Sequence, residues 1–128
     1  MFTLHASSAV NQRTFPRSSR LLKHADFQTV YKQGRKHFSS NMVVFYHQSG
    51  RSGGPRVGLT IGKVLGGAVE RNRIRRRMRA AVSRHLGALG KPLDLVLHPR
   101  KSVLTMDFAQ LEGEVAQVFA AVQRGKGR

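Results

Sequence analysis

Residues 56–99 carry a strand pattern, then a helix pattern, then a second strand pattern, and this order constrains the fold more than any other feature. RVGLTIG, residues 56–62, sets Val57, Leu59 and Ile61 on one face, the period of a half-buried strand. KVLGGA turns the chain into a helical stretch with a broken apolar stripe of Val69, Met78, Val82, Leu86 and Leu89. Ile74 fits the same face, and Ala81 helps to fill it. LDLVLHP, residues 93–99, is short and mostly apolar, which suits the centre of a sheet. Parallel strands need a crossover, usually helical. The two strands are therefore expected side by side and parallel.

The flanking segments complete the outline. LLKHADFQTVYKQG places Phe27, Val30 and Tyr31 at helical spacing, with Gly34 as terminator and Asp26 in the first turn, where an acid suits the positive helix end. NMVVFYHQ, residues 41–48, is rich in strand formers, and SGRSGGP, residues 49–55, is a loop. A last helix begins near Thr105 or Asp107, with the stripe Phe108, Leu111, Val115, Val118, Phe119 and Val122. The order is helix, strand, strand, helix, strand, helix. It implies a single-domain α/β two-layer sandwich over residues 17–122, with a mainly antiparallel or mixed sheet. Residues 1–16 read as a basic flexible arm and 123–128 as a basic flexible tail.

Charge narrows the partners. The 128 residues hold 23 Lys and Arg against 6 Asp and Glu, a net +17. Solubility needs far less, whereas a polyphosphate rewards such charge by counterion release. Six of the nine residues from Arg71 to Arg79 are arginine. Arg71, Arg75 and Arg79 form an i,i+4 row, and Arg73, Arg76 and Arg77 widen it. Like charges at that spacing cost a few tenths of a kcal/mol each, and Glu70 is the sole local acid. A merely solvated helix mixes Glu with its Arg, so the run favours a bound polyanion. Arginine grips phosphate bidentately and stacks on bases. Asn72 suits either a base edge or local capping. A membrane-surface helix is disfavoured, because Trp is absent and the apolar stripe is committed to a core.

Phe27 and Tyr31 share one helix face, a spacing equally suited to core packing and to an aromatic platform. Phe45 and Tyr46 must point to opposite sides of the sheet. Rings beside Lys32 and Arg35 would suit single-stranded RNA. This groove is expected to be separate from the arginine helix. The six histidines and six acids show no metal-binding or carboxylate-pair spacing. Absence of cysteine excludes disulfides and thiolate metal sites. No apolar run approaches a membrane span. The chain reads as an RNA binder without chemistry of its own.

These motifs resemble the protein component of bacterial ribonuclease P. RVGLTIGKVLGGAVERNRIRRRMRAAV is similar to that family's RVG strand and basic helix, DFQTVYKQGR to its first helix, LDLVLHPR to its third core strand, and DFAQLEGEVAQVF to its last helix. The resemblance covers roughly residues 17–122. It implies a fold like the second domain of ribosomal protein S5, with a left-handed crossover where general rules favour the right hand. It also implies an accessory subunit of a cytoplasmic endoribonuclease, whose catalytic RNA holds Mg2+ and removes the 5′ leader of precursor tRNA. No obligate protein partner is implied. By the same resemblance, Arg71, Asn72, Arg73, Arg75, Arg76, Arg79 and Lys63 meet the catalytic RNA. Phe27, Tyr31, Val44, Tyr46, Lys32 and Arg35 form the leader cleft. Departures fall at Val64, Gly67 and Ala80. A non-catalytic ribosomal or RNA-chaperone-like binder is the alternative.

Overall fold

The computed structural model describes residues 15–49 and 53–125. Strands β1 (Arg35–Phe38), β2 (Met42–Gln48), β3 (Arg56–Leu59) and β4 (Leu93–Pro99) form a sheet in the order β1-β2-β4-β3. Helices α1 (His24–Gln33), α2 (Ala68–His85) and α3 (Phe108–Gln123) pack against it. β1 and β2 are antiparallel, as are β2 and β4, whereas β3 and β4 run parallel across the α2 crossover. β4 is central, as its apolar run predicts, and is buried from Leu93 to Leu97.

The main core lies on one sheet face. Met42, Val44 and Tyr46 of β2 and Leu93, Leu95 and Leu97 of β4 meet Ile74, Met78 and Val82 of α2. Leu111, Val115 and Phe119 of α3 close the same cluster. The opposite face belongs to α1, whose Val30 packs with Leu21 and Val96, flanked by Phe27, Tyr31 and Phe45. The sandwich therefore has helices on both sides, thinly on one.

Several local expectations change. β1, RKHF, has no apolar alternation and escapes a periodicity reading, because an edge strand tolerates charge. Val69 is 82 % exposed. It precedes the buried stripe of α2, which begins at Ile74. Phe15 is buried and its carbonyl accepts from Arg20 Nε at 2.8 Å, so the folded part includes residues assigned to the arm. The rest of that arm, and residues 126–128 of the expected tail, lie outside the described residues. Gly34 does end α1, but with φ −86°, not in the left-handed region. A Cβ there would lie 2.5 Å from the carbonyl oxygens of Val30 and Tyr46, so close backbone approach selects glycine.

Glu114 fixes the β1–β2 turn to α3. Its buried carboxylate accepts from Ser39 Oγ (2.6 Å), Asn41 N (2.7 Å) and Asn41 Nδ2 (2.7 Å). These donors satisfy a charge that would be costly to bury alone.

Candidate nucleic-acid interface

The strand register defines the floor beneath α1. Lys36 pairs with Phe45, Phe45 with Val96, and Val96 with Gly58. In the next row Phe38 pairs with Val43, and Val43 with His98. Residues directly opposite across strands share a face, so both rows look toward α1.

α1 lays its rings on this floor. The Phe27 ring sits over Gly58, where an added Cβ would come within 2.5 Å of Cζ. One turn later, the Tyr31 hydroxyl lies 2.9 Å from both Thr60 Oγ1 and His98 Nε2. Its ring meets Phe45 edge-on at 5.1 Å and His98 at 5.6 Å. Burial depresses the His98 pKa below its ordinary value, which favours a neutral imidazole in this cluster. The Lys36 ammonium lies 5.4 Å from the Phe45 centroid, within reach of a cation–π contact.

The register also corrects the predicted cleft. Val44 and Tyr46 are buried in the main core on the opposite face. Arg35 pairs with Tyr46 and so projects there too, with Nη1 3.5 Å from the Gly125 carbonyl. Phe45, His98 and Lys36 occupy the places assigned to these three. Polarity in β4 carried the missed signal: Asp94 and His98 mark the face opposite Leu93, Leu95 and Leu97, and antiparallel pairing transfers that parity to β2. Lys32 is exposed on α1.

An ion-pair network anchors α1 to the sheet. Arg56 donates from Nε (3.0 Å) and Nη2 (2.8 Å) to Asp94, and from Nη1 to Asp26 (3.2 Å). Hydrogen bonding to Asp94 raises the Arg56 pKa further above its already high value. Asp26 belongs to the first turn of α1, so the fork sets that helix against β3 and β4.

The arginine helix divides into separate rows. Arg73 Nε donates to the Leu104 carbonyl at 3.2 Å, and Arg77 donates to the Met106 carbonyl. The guanidiniums of Arg77 and Arg84 also lie 5.9 and 5.3 Å from the Phe108 ring. This side holds the segment leading into α3. On another side, Arg75 and Arg79 line a cavity of about 240 Å³ together with Phe15, Leu22, Phe27 and Gly58. Arg71 is half-buried, while Arg76 and Arg79 are exposed. Asn72 Oδ1 accepts from Arg75 Nη1 at 2.7 Å, whereas the helix start is capped by Glu70, which accepts from Gly67 N at 2.6 Å. Lys63 is exposed in the turn before α2. The arginine row and the aromatic cleft therefore meet at Phe27 and are not separate surfaces.

Asp26, Asp94 and Glu114 are engaged by Arg56, Ser39 and Asn41. Among the described residues no three His, Asp or Glu side chains gather to hold a metal ion. Nor is any helix among them long and apolar enough to cross a membrane.

The fold and this face define a class: a small mixed α/β domain with an arginine-rich helix opening onto an aromatic cleft. The family profile described as ribonuclease P matches residues 15–123. The ribonuclease P protein component of Finegoldia magna is 33 % identical over 102 residues, covering 80 % of this chain and 88 % of that one. Its counterpart from Streptococcus pneumoniae strain Hungary19A-6 is 34 % identical over 100 residues, covering 78 % and 80 %. The Staphylococcus aureus RNase P protein structure superposes with TM-score 0.72 at 27 % identity, over 83 % of this chain and 96 % of that one. The Thermotoga maritima RNase P protein gives 0.70 at 26 %, over 79 % and 94 %. The chain belongs to the ribonuclease P protein family.

Proposed function

We propose that the protein binds the catalytic RNA of ribonuclease P through α2 and the 5′ leader of precursor tRNA through the cleft under α1. Arg71, Arg75, Arg76 and Arg79, with Lys63, neutralise phosphates of the catalytic RNA, and Asn72 orients Arg75. Phe27, Tyr31 and Phe45 offer faces and edges on which leader bases rest, since stacking tolerates any sequence. Lys32 and Lys36 meet the leader phosphates. The observation that carries this reading is the cavity shared by Phe27, Arg75 and Arg79. It lets one polyanion be held beside another where their mutual repulsion is greatest.

In this reading the protein breaks no bond. Activation of the attacking water belongs to Mg2+ held by the catalytic RNA and substrate. The side chains here bring leader and catalytic RNA together, and mature tRNA, which lacks a leader, gains nothing from the cleft. This function places the protein in the cytoplasm with precursor tRNA.

The test is precursor tRNA cleavage at low magnesium, with protein and bacterial catalytic RNA supplied alone and together. Cleavage at the mature 5′ end only when both are present is the expected result. Cleavage by nuclease-free protein alone would overturn it. Tight RNA binding without stimulation would instead identify a non-catalytic RNA binder.

A further inference from the structure

We propose that Phe38 and Lys36 on the edge strand β1 form an additional stacking position for a leader nucleotide, at the end of the cleft farthest from the arginine helix. This inference rests on the leader-binding reading above.

Phe38 is 64 % exposed and belongs to neither buried cluster. Its pairing with Val43 places it on the cleft face, in the row that continues to His98. Packing therefore gives no reason for a phenyl ring there, and an edge strand is ordinarily blunted by charge or proline, not by an exposed aromatic. The Lys36 ammonium lies 5.9 Å from the Phe38 ring and 5.4 Å from Phe45. It bridges the cluster under α1 and the open ring at the edge. A strand running from one ring to the other carries its phosphates past that ammonium.

The occupant follows from chemistry. Lys36 is exposed, and the carboxylates Asp26 and Asp94 are engaged by Arg56. An aromatic face beside an exposed cation is what a single-stranded nucleic acid requires. From Gly58 on β3 to Phe38 on β1 there are three strand spacings, about 14 Å across the sheet. Phe27, at the β3 side, shares its cavity with Arg75 and Arg79. The cleavage-proximal part of the leader thus lies near Phe27, and Phe38 meets nucleotides more distant from the cleavage site.

The experiment measures affinity of holoenzyme, protein plus catalytic RNA, for precursor tRNAs whose leaders are shortened one nucleotide at a time. Phe38→Ala and Phe38→Leu should weaken binding of long leaders about tenfold. The loss should vanish below a threshold leader length and be absent with mature tRNA. Phe38→Trp should retain parental affinity. Phe27→Leu reports on the cleft independently and should weaken precursors with short leaders as well. A leader-dependent loss in Phe27→Leu, with none at any length in Phe38→Ala, would overturn the Phe38 position alone. An equal loss in Phe38→Ala at every leader length would do the same. Leader-independent behaviour of both variants would overturn the cleft itself.

Discussion

The Phe27 ring rests on Gly58 so closely that a methyl group at residue 58 would lie 2.5 Å from Cζ and 3.1 Å from Leu21 Cβ. The glycine of the RVG strand is thus a seat for the first cleft aromatic. Gly58→Ala should displace that ring, at a cost of about 1–3 kcal/mol from overpacking. Urea unfolding reads the stability loss. Affinity for precursor tRNA should fall more than affinity for mature tRNA in the same variant.

Arg56 should matter more than Asp26, the more exposed of the two carboxylates it holds. Removing it by Arg56→Ala takes the two-point fork from the largely buried Asp94, which should cost about 1.5–3 kcal/mol, the range for hydrogen bonds to a charged group. Asp26→Asn loses only the more exposed arm and should cost under about 1 kcal/mol. Equal losses in urea unfolding would show that Asp94 does not need the guanidinium.

His98 should make stability pH-dependent. Burial lowers its folded pKa below 6.5. Below that pH the unfolded chain therefore binds more protons, and stability falls as pH drops toward the folded pKa. Melting temperatures between about pH 7.5 and 5.5 should decline less in His98→Asn than in the parent. An unchanged decline would place the titration elsewhere.

The arginines should separate by assay. Arg77→Ala loses contacts with Met106 and Phe108 and should lower thermal stability while leaving the salt dependence of RNA binding nearly intact. Arg79→Ala should leave stability unchanged and reduce the salt slope for catalytic RNA by about one unit or slightly less. The reverse pattern would mean that the structural and polyanion-facing rows have been exchanged.

Much of this organisation is legible in the sequence where periodicity is strong. The parallel β3–β4 pair follows from a helix pattern between two strand patterns, and β4's place at the centre from its apolar run. Signals weaken where a residue's role depends on a partner far along the chain. Val44 and Tyr46 are good strand residues on either face, and only pairing with β4 assigns them to the core. RKHF carries no period because its strand lies at the edge. Arg73 and Arg77 look like the other arginines until the segment from Leu104 to Phe108 packs beside them. Phe27 and Tyr31 are identifiable as a pair by spacing, but nothing local reveals that Arg75 and Arg79 border the same cavity.

The most direct measurement is the ratio of precursor to mature tRNA affinity for holoenzyme carrying Phe27→Leu and Tyr31→Leu, which keep apolar bulk and remove the rings. Precursor binding should weaken by about 1–3 kcal/mol per lost stack, with mature tRNA binding unchanged. Equal weakening on both RNAs, or none on either, would contradict a leader cleft under α1.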